Sequence, residues 1–119
     1  MRYLLMIYTD ETVEASMSPE EQGVYMAAYN AFTKATEERH TFQAGEALQS
    51  IATATTVRVR NGKSVSTDGP YAETKEQLGG FYLLNCKNLD EAIEFAGMIP
   101  GAKHGAIEVR PIMEFGAQP

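Results

Sequence analysis

The densest group of reactive side chains follows a turn in the second half of the chain. Asp68 and Glu73 supply carboxylates, Tyr71 a phenol and Lys75 an ammonium, and Pro70 makes the bend rigid. Burial of such a set would shift one pKa toward neutrality, as proton transfer requires. Left in water, the same residues form a charged turn. The segment is therefore interpreted either as a ligand-binding or proton-transferring site or as a solvated loop.

A second candidate pair lies further along the chain. Glu108 and Arg110 alternate along a predicted strand, so their side chains share one face. They suit an ion pair. They equally suit an anionic ligand, because the guanidinium of Arg110 is a forked donor.

The sequence predicts neither a metal site nor a bound cofactor. His40 and His104 are far apart, and one cysteine gives no zinc-ligand spacing. Both histidines are interpreted as surface or loop residues, and Cys86 as a small buried thiol. Gly79 and Gly80 lack the helix-opening context of a phosphate loop, and no dinucleotide-binding fingerprint is present.

Composition restricts the partners. Sixteen acidic against ten basic residues give a net charge of -6, and no basic run is present, so neither nucleic acid nor an anionic membrane is an expected partner. No stretch approaches the roughly twenty apolar residues of a spanning helix. The length of 119 residues and the 44% hydrophobic content predict one domain over residues 1–119. The single cysteine makes the cytoplasm the expected location.

Apolar runs and capping residues predict the elements that position these groups. Residues 3–8 are continuously apolar or aromatic, which is typical of a central strand covered on both faces. Residues 18–21 have a capping-box pattern with proline at the first helical position, so a helix begins there and ends near His40. Its expected sheet-facing stripe is Val24, Ala28, Ala31 and Ala35.

A hairpin follows, with its turn at Asn61 and Gly62. A two-residue loop would place valines opposite serines and mix the two faces. A bulged three-residue loop instead pairs Val57 with Val65, and this arrangement is predicted.

Three further elements complete the pattern. Residues 81–86 predict a strand, Asn88 caps a second helix, and residues 106–111 predict the final strand. The apolar face expected for the second helix is Leu89, Ala92, Ile93, Ala96 and Ile99.

This order of elements predicts an α+β fold, a ferredoxin-like antiparallel sheet with two helices on one face. The strands carry more apolar residues than two helices cover. The uncovered face is therefore expected to pack against a second copy, giving a homodimer, a dimeric α/β barrel with a cavity near the interface.

The run over residues 68–81, DGPYAETKEQLGGF, resembles the signature of the DGPF family within the YCII-related group, with Tyr71 in place of phenylalanine. Agreement continues at residues 3–8, 18–21, 45–48, 55–58, 89–92 and 108–111, so the resemblance covers essentially the whole chain. It implies a dimeric ferredoxin-like α/β barrel. It implies no established reaction.

YCII-type relatives are associated with a site built from a histidine on the first helix and an aspartate near the barrel mouth. Asp68 is the counterpart of that acid in this resemblance. The predicted first helix contains no histidine, so a histidine-aspartate mechanism does not carry over. Asp68, Glu73, Lys75 and Arg110 are then the polar set to test.

The leading hypothesis is a small-molecule-binding protein, or a metal-independent enzyme doing proton-transfer or lyase-type chemistry in the barrel cavity. Asp68 is the candidate base or ligand anchor, Glu73 the second carboxylate and Lys75 their electrostatic partner. Arg110 is the candidate anion clamp, and Tyr71 and Glu108 are further candidate ligand-binding residues. The rival is a non-catalytic sensing or accessory module, because the resemblance associates such chains with sigma-factor regulation. A third interpretation is that residues 68–76 only lock the hairpin to the next strand.

Overall fold

The computed structural model describes residues 1–116; of the predicted domain, residues 117–119 lie outside the described part. The strands are β1 (Arg2–Thr9), β2 (Phe42–Ala47), β3 (Thr55–Arg60), β4 (Lys63–Asp68), β5 (Gln77–Asn85) and β6 (Ala106–Pro111). The helices are α1 (Glu11–Ala15), α2 (Pro19–Glu38) and α3 (Leu89–Met98). Single 3₁₀ turns occupy Ile51–Thr53 and Pro100–Lys103.

A four-stranded antiparallel sheet with strand order β2-β5-β1-β6 forms the framework. Read with α2 after β1 and α3 after β5, this order is ferredoxin-like and confirms the predicted α+β class. Strand β1 is central, as its apolar run predicted. The β3–β4 hairpin is not part of this sheet, however, and forms a separate two-stranded unit inserted between β2 and β5.

The prediction that the hairpin belongs to the main sheet is therefore wrong. Its place beside β5 is taken by β2, a segment whose residue pattern predicted no strand. The sequence of β2 is FQAGEA, whose alanines and glycine are poor strand formers. This edge strand is held in place by its pairing with β5 and by close packing of the two backbones, not by local strand propensity.

Helix α2 begins as predicted. The Ser18 side chain accepts a hydrogen bond from the Glu21 amide at 3.1 Å, and the Glu21 carboxylate accepts one from the Ser18 amide at 2.9 Å. This reciprocal pair satisfies two amides that the first helical turn leaves without partners. Pro19 needs no such partner because it has no amide hydrogen.

The face that α2 turns to the sheet differs from the prediction. Its buried residues are Phe32 and Thr36, with Tyr25 and Tyr29 half-buried. Val24 is 68% exposed. Both stripes have helical spacing, but they are one residue and therefore about 100° apart. The aromatic stripe faces inward because its rings bury far more apolar area than alanines do.

The same rotation affects α3. Its Asn88 cap is confirmed, since the side chain accepts from the Glu91 amide at 3.0 Å. Leu89 and Ile93 are about half-exposed, contrary to expectation, and Phe95 is fully buried instead. The core formed between the sheet and the helices consists of Tyr3, Leu5, Ile7, Phe32, Tyr82, Leu84, Cys86, Ala92, Phe95, Ala96 and Ile99.

The hairpin register also differs from the prediction. Val57 pairs with Ser66 and Arg60 with Lys63, so the loop has two residues, not three. Asn61 and Gly62 both have positive φ, 54° and 74°, as a type I′ turn requires. Since neither strand packs on the core, no burial force aligns the valines, and the turn chemistry sets the register.

None of the helices within residues 1–116 is long and apolar enough to cross a membrane.

Candidate functional site

A cavity of about 550 Å³ lies between the four-stranded sheet and α2, with α1 at one end. Its walls come from the end of β1, from α1, from residues 22–33 of α2, and from β2 and β5. The residues lining it are Ile7, Thr9, Glu11, Glu14, Met17, Gln22, Tyr25, Met26, Tyr29, Asn30, Thr33, Phe42, Gly45, Glu46, Ala47, Leu48, Gly79, Gly80, Phe81 and Tyr82. Mostly apolar walls with a few polar groups are typical of small-molecule sites.

The short helix α1 positions the acidic end of the cavity. Its N-cap is Asp10, whose carboxylate accepts from the Thr12 amide at 2.9 Å, and these Thr12 contacts lower the pKa of Asp10. One helical turn later, Glu14 accepts a hydrogen bond from the Thr9 hydroxyl at 2.7 Å. Thr9 is buried, so this bond fixes Glu14 at the end of β1. A carboxylate has about four acceptor positions, and Glu14 therefore retains capacity for a ligand donor.

Two tyrosines from consecutive turns of α2 lie beside Glu14. The rings of Tyr25 and Tyr29 meet edge to face with centroids 5.1 Å apart, and their hydroxyl oxygens are 3.4 Å apart. Burial raises the pKa of Tyr25 far above the ordinary phenol value, with the hydrogen bond to Tyr29 and the Glu14 carboxylate adding to the shift. Burial also raises the pKa of Tyr29. Both phenols are therefore neutral donors at physiological pH.

The opposite wall carries a hydroxyl pair joining α2 to β5. The Thr33 hydroxyl lies 2.9 Å from the Tyr82 hydroxyl and donates to the Tyr29 carbonyl at 3.1 Å. Since a threonine hydroxyl has one hydrogen, Tyr82 is the donor to Thr33. These groups satisfy each other, which leaves Glu14 and Tyr25 as the more available polar groups of the cavity.

Close backbone contacts shape the cavity wall. A Cβ atom at Gly45 would lie 2.8 Å from the Tyr82 ring, and one at Gly101 would lie 2.8 Å from the Tyr29 hydroxyl oxygen. Glycine at these positions allows both rings to lie directly on the backbone. Larger residues would displace them.

The charges of the cavity wall are of one sign. Glu11, Glu14 and Glu46 contribute carboxylates, and no Lys, Arg or His is among the described residues that line it. Glu11 is partly occupied, because it accepts from the Ile51 amide at 2.8 Å and the Ser50 hydroxyl at 3.2 Å. Glu46 is exposed on edge strand β2.

The sequence-predicted loop lies outside this cavity. Asp68, Tyr71, Glu73 and Lys75 are all exposed in the single chain, Tyr71 to 80%. The Arg58 guanidinium lies 5.5 Å from the centre of the Tyr71 ring. Asp68 ends strand β4 and the other three residues lie in the loop that follows, and the chain does not enclose any of them.

The loop is also tied to its surroundings through backbone and amide groups. The Gly69 amide donates to the Ala54 carbonyl at 2.8 Å, which joins the two ends of the hairpin. Gln77 donates to the Thr74 carbonyl at 2.6 Å and accepts from the Glu11 amide at 3.2 Å. These bonds support the structural interpretation of the segment, in which it locks the hairpin to β5.

Glu108 and Arg110 lie on edge strand β6, away from that loop. The Arg110 Nε donates to Glu108 Oε2 at 2.6 Å, and this bond raises the pKa of Arg110. The Arg110 side chain is 69% exposed. In the single chain the two residues form a surface ion pair, so one of the hydrogen-bond donors of Arg110 is already used.

The remaining candidates do not line the cavity. Cys86 is buried as predicted, and burial raises the pKa of its thiol. His40 is exposed. His104 is partly buried behind the cavity wall, with its ring centre 5.6 Å from that of Tyr25 and its Nε2 unpartnered among the described residues. Residues 1–116 contain no cluster of three or more His, Cys, Asp or Glu side chains arranged to hold a metal ion.

Sequence reasoning missed Glu14, Tyr25 and Tyr29. The signal for the tyrosines was their spacing with Phe32, at positions i, i+4 and i+7 of one helix face. Glu14 had no such signal, because it depends on α1, a helix of five residues. A segment of that length has too few positions to show a periodic pattern.

The chain is similar to a protein family, to a bacterial protein and to a solved structure. The model of the YCII-related domain matches residues 1–116. An uncharacterised protein of Rhizobium meliloti (strain 1021), R00369, is 39% identical over 114 residues, covering 94% of this chain and 92% of that protein. Among solved structures, a complex of 5-chloro-2-hydroxyhydroquinone dehydrochlorinase (TftG) from Burkholderia phenoliruptrix AC1100 with 2,5-dihydroxybenzoquinone aligns with a TM-score of 0.49 and 18% identity. That alignment covers 95% of this chain and 94% of the other.

The family match extends over every described residue, and the Rhizobium protein is related over nearly its full length. The family match agrees with the resemblance found at residues 68–81. The chain belongs to the YCII-related domain family.

Proposed function

We propose that this protein binds a small, partly aromatic molecule in the cavity between the sheet and α2. The observation that carries the proposal is the polar group of Thr9, Glu14, Tyr25 and Tyr29, held in a mostly apolar cavity of about 550 Å³. This volume is within the range of roughly 300–1,000 Å³ usual for ligand sites. The tyrosine and phenylalanine rings of the walls suit a flat apolar ligand body.

The charges of the wall favour an uncharged or cationic ligand. A negative group about 4 Å from one carboxylate is repelled by about 4 kcal/mol at an effective dielectric constant of about 20. No basic side chain of the described lining offsets this repulsion. A hydroxyl or ammonium group on the ligand would instead donate to Glu14.

Acid-base chemistry is the reaction class that this arrangement supports. Glu14 is the proposed proton acceptor, positioned by Thr9, and Tyr25 is the proposed hydrogen-bond donor to the ligand, since its raised pKa keeps the phenol protonated. A carboxylate can take a proton from one atom of a ligand and return it to another, while the neighbouring phenol holds the ligand by a hydrogen bond. This proposal keeps the metal-independent chemistry expected from the sequence and moves it to different residues.

The loop site stays a second proposal. Asp68, Glu73 and Lys75, with Tyr71, would need a second copy to bury them, because the single chain leaves them exposed. A homodimer is supported by the second face of the sheet, where Leu4, Met6, Tyr8, Phe81 and Leu83 are only half-buried. Glu108 and Arg110 lie on that same face, because Met6 pairs with Glu108 and Leu4 with Arg110. The cytoplasmic location and the absence of a nucleic-acid partner also stay predictions.

Three charge-neutralising substitutions distinguish experimentally between the cavity site and the loop site. Uncharged and cationic aromatic compounds are first screened by thermal shift, and hits are titrated by calorimetry. We expect Glu14→Gln to weaken binding of a hit at least 10-fold. Glu20→Gln, which removes an exposed carboxylate outside the cavity wall, is the matched control and should leave affinity unchanged.

Asp68→Asn decides between the cavity and the loop. Unchanged affinity in this variant supports the cavity, whereas loss of binding in Asp68→Asn with full binding in Glu14→Gln refutes the cavity assignment. Following a bound hit by NMR then tests the chemistry. Conversion that stops in Glu14→Gln supports an enzyme, and binding without conversion supports the sensing module.

A further inference from the structure

The β3–β4 hairpin projects from the rest of the chain. The Cα radius of gyration is 16.5 Å, whereas a compact chain of this length is expected near roughly 13.5 Å. The principal extents of 53 × 47 × 17 Å describe the same flat, extended shape. Within residues 1–116, β3 and β4 pair with each other and with no further strand. An isolated two-stranded hairpin is marginally stable in water, so a hairpin of this kind needs a surface to pack on.

The two faces of the hairpin have different chemistry. Alternation and the pairing register place Val57 and Val59 on one face, beside Ser64 and Ser66. Val57 is 59% and Val59 63% exposed, so this apolar pair is uncovered in the single chain. The one charged residue on this face is Asp68, opposite Thr55 at the base of the hairpin. The valine and serine part towards the turn is suited to packing against another protein surface.

The other face is basic. Arg60 and Lys63 are direct cross-strand partners at the turn, and Arg58 lies on the same face opposite Val65. Like charges directly opposite each other destabilise a strand pair unless a counter-charge is near. Three positive side chains on one short face therefore indicate an acidic binding partner.

Charge indicates which partner this is. Residues 55–68 contain three basic side chains and one acidic side chain, a net charge of 3 − 1 = +2, within a chain whose formal net charge is -6. The rest of the chain therefore carries -6 − 2 = -8. A basic hairpin on a strongly acidic body is complementary to a second copy of itself. The same acidic body repels a nucleic acid, the other common partner of a basic hairpin.

We propose that the β3–β4 hairpin is an arm that docks on a second copy of the chain, with its basic tip against the acidic body of that copy. The proposal rests on the homodimer put forward above and is independent of what the cavity binds. The exposed sheet face provides one contact between copies, and the arm provides a second, reciprocal one. Docking of the arm would also change the surroundings of the adjoining loop, which begins at Gly69.

Deletion of the arm is the direct test, and the structure allows it. The Gly69 amide and the Ala54 carbonyl are hydrogen-bonded at 2.8 Å, so the two ends of the arm are adjacent. Residues 55–68 are replaced by a two-residue Gly-Ser link. Circular dichroism and thermal unfolding establish that the four-stranded sheet still folds. We then expect analytical ultracentrifugation to show a dimer for the full chain and a dimer dissociation constant at least 100-fold higher for the deletion.

A charge variant tests the electrostatic part. Arg60→Ala with Lys63→Ala is compared with Lys34→Ala and Lys87→Ala, two exposed lysines outside the arm. We expect a dissociation constant at least 10-fold higher for the arm variant and no change for the control. Wild-type dimers should also weaken as salt is raised from 50 to about 500 mM, because screening shortens the reach of the charges.

The opposite outcomes overturn the proposal. If the full chain stays monomeric at 100 μM, the partner of the arm is not a second copy. If an oligonucleotide then binds this monomer through the arm, the partner is a nucleic acid. A dimer with the same dissociation constant after deletion of residues 55–68 keeps the homodimer but refutes the arm. Ligand binding by calorimetry on the same samples shows separately whether the cavity proposal stands.

Discussion

Substitution of Glu91 by glutamine should lower stability at neutral pH and have a smaller effect in acid. Glu91 lies in the first turn of α3 and is 8% exposed. It accepts from Arg39 at 2.7 Å and from the Lys87 amide at 2.9 Å. The guanidinium of Arg39 lies 4.2 Å from the centre of the Phe95 ring. This group therefore ties the C-terminal end of α2 to the start of α3, and α2 carries the tyrosines of the cavity.

The magnitude follows from the contacts. A hydrogen bond involving a charged group contributes about 1.5–3 kcal/mol, and glutamine keeps the acceptor for the Lys87 amide while losing the charge. We therefore expect Glu91→Gln to cost about 2 kcal/mol at pH 7, or a decrease in melting temperature of roughly 8 °C for a chain of this size. The assay is urea unfolding followed by circular dichroism.

The pH dependence gives the sharper test. The Lys87 amide and then Arg39 hold the pKa of Glu91 below its usual value, so its charge stabilises the folded state. This contribution is complete above the unfolded-state pKa of about 4.3 and is lost as pH falls through the lower folded value. A pH of about 2.5 lies below the unfolded-state pKa, so the difference between the two proteins should be clearly smaller there than at pH 7.

Glu94→Gln is the matched control. Glu94 also contacts Arg39, at 3.3 Å, but it is 57% exposed, and exposed ion pairs contribute about 0–1 kcal/mol. A cost for Glu94→Gln equal to that of Glu91→Gln would show that burial does not set the strength of this pair. A Glu91→Gln difference that is the same at both pH values would show that the charge is not its origin.

Four further substitutions, at Gly45, Gly23 and Asn88, test the packing around the cavity and the start of α3. Gly45→Ala places a Cβ 2.8 Å from the Tyr82 ring and should lower the free energy of unfolding by about 1–3 kcal/mol, measured by thermal unfolding. In the control Gly23→Ala, the added Cβ in α2 meets no atom within 4 Å, so this substitution should stabilise the fold by about 0.5–1 kcal/mol. Equal effects of the two substitutions would contradict the close packing at Gly45. Asn88→Ala removes the cap of the Glu91 amide and should cost about 1 kcal/mol in urea unfolding, with Asn88→Ser recovering most of it.

The sequence predicted the parts of the fold that depend on local chemistry. The capping box at Ser18 and the cap at Asn88 are determined within a few residues, and both helices begin where expected. The central position of β1 followed from its continuous apolar run. The α+β class and the ferredoxin-like order are confirmed for the same reason, since they depend on the type and sequence of these elements.

The parts that failed depend on contacts between distant segments. Which face of α2 packs inward depends on contacts with the sheet, which lies far away in sequence. The alanine stripe and the aromatic stripe have the same helical spacing and differ only in the size of their side chains. Strand β2 exists because β5 pairs with it, not because FQAGEA favours an extended chain. The hairpin register was predicted by assuming a buried face, and the exposed hairpin has none in the single chain.

The two candidate sites differ in whether a single chain is enough to form them. The Glu14 and Tyr25 group is assembled by β1, α1 and α2 of a single copy, so its chemistry is testable whatever the oligomeric state. The family signature at residues 68–81, the uncovered face of the sheet and the hairpin all involve surfaces that one copy leaves exposed. If the signature acts chemically, its activity should depend on protein concentration as dimers form, whereas ligand binding to Glu14 should not.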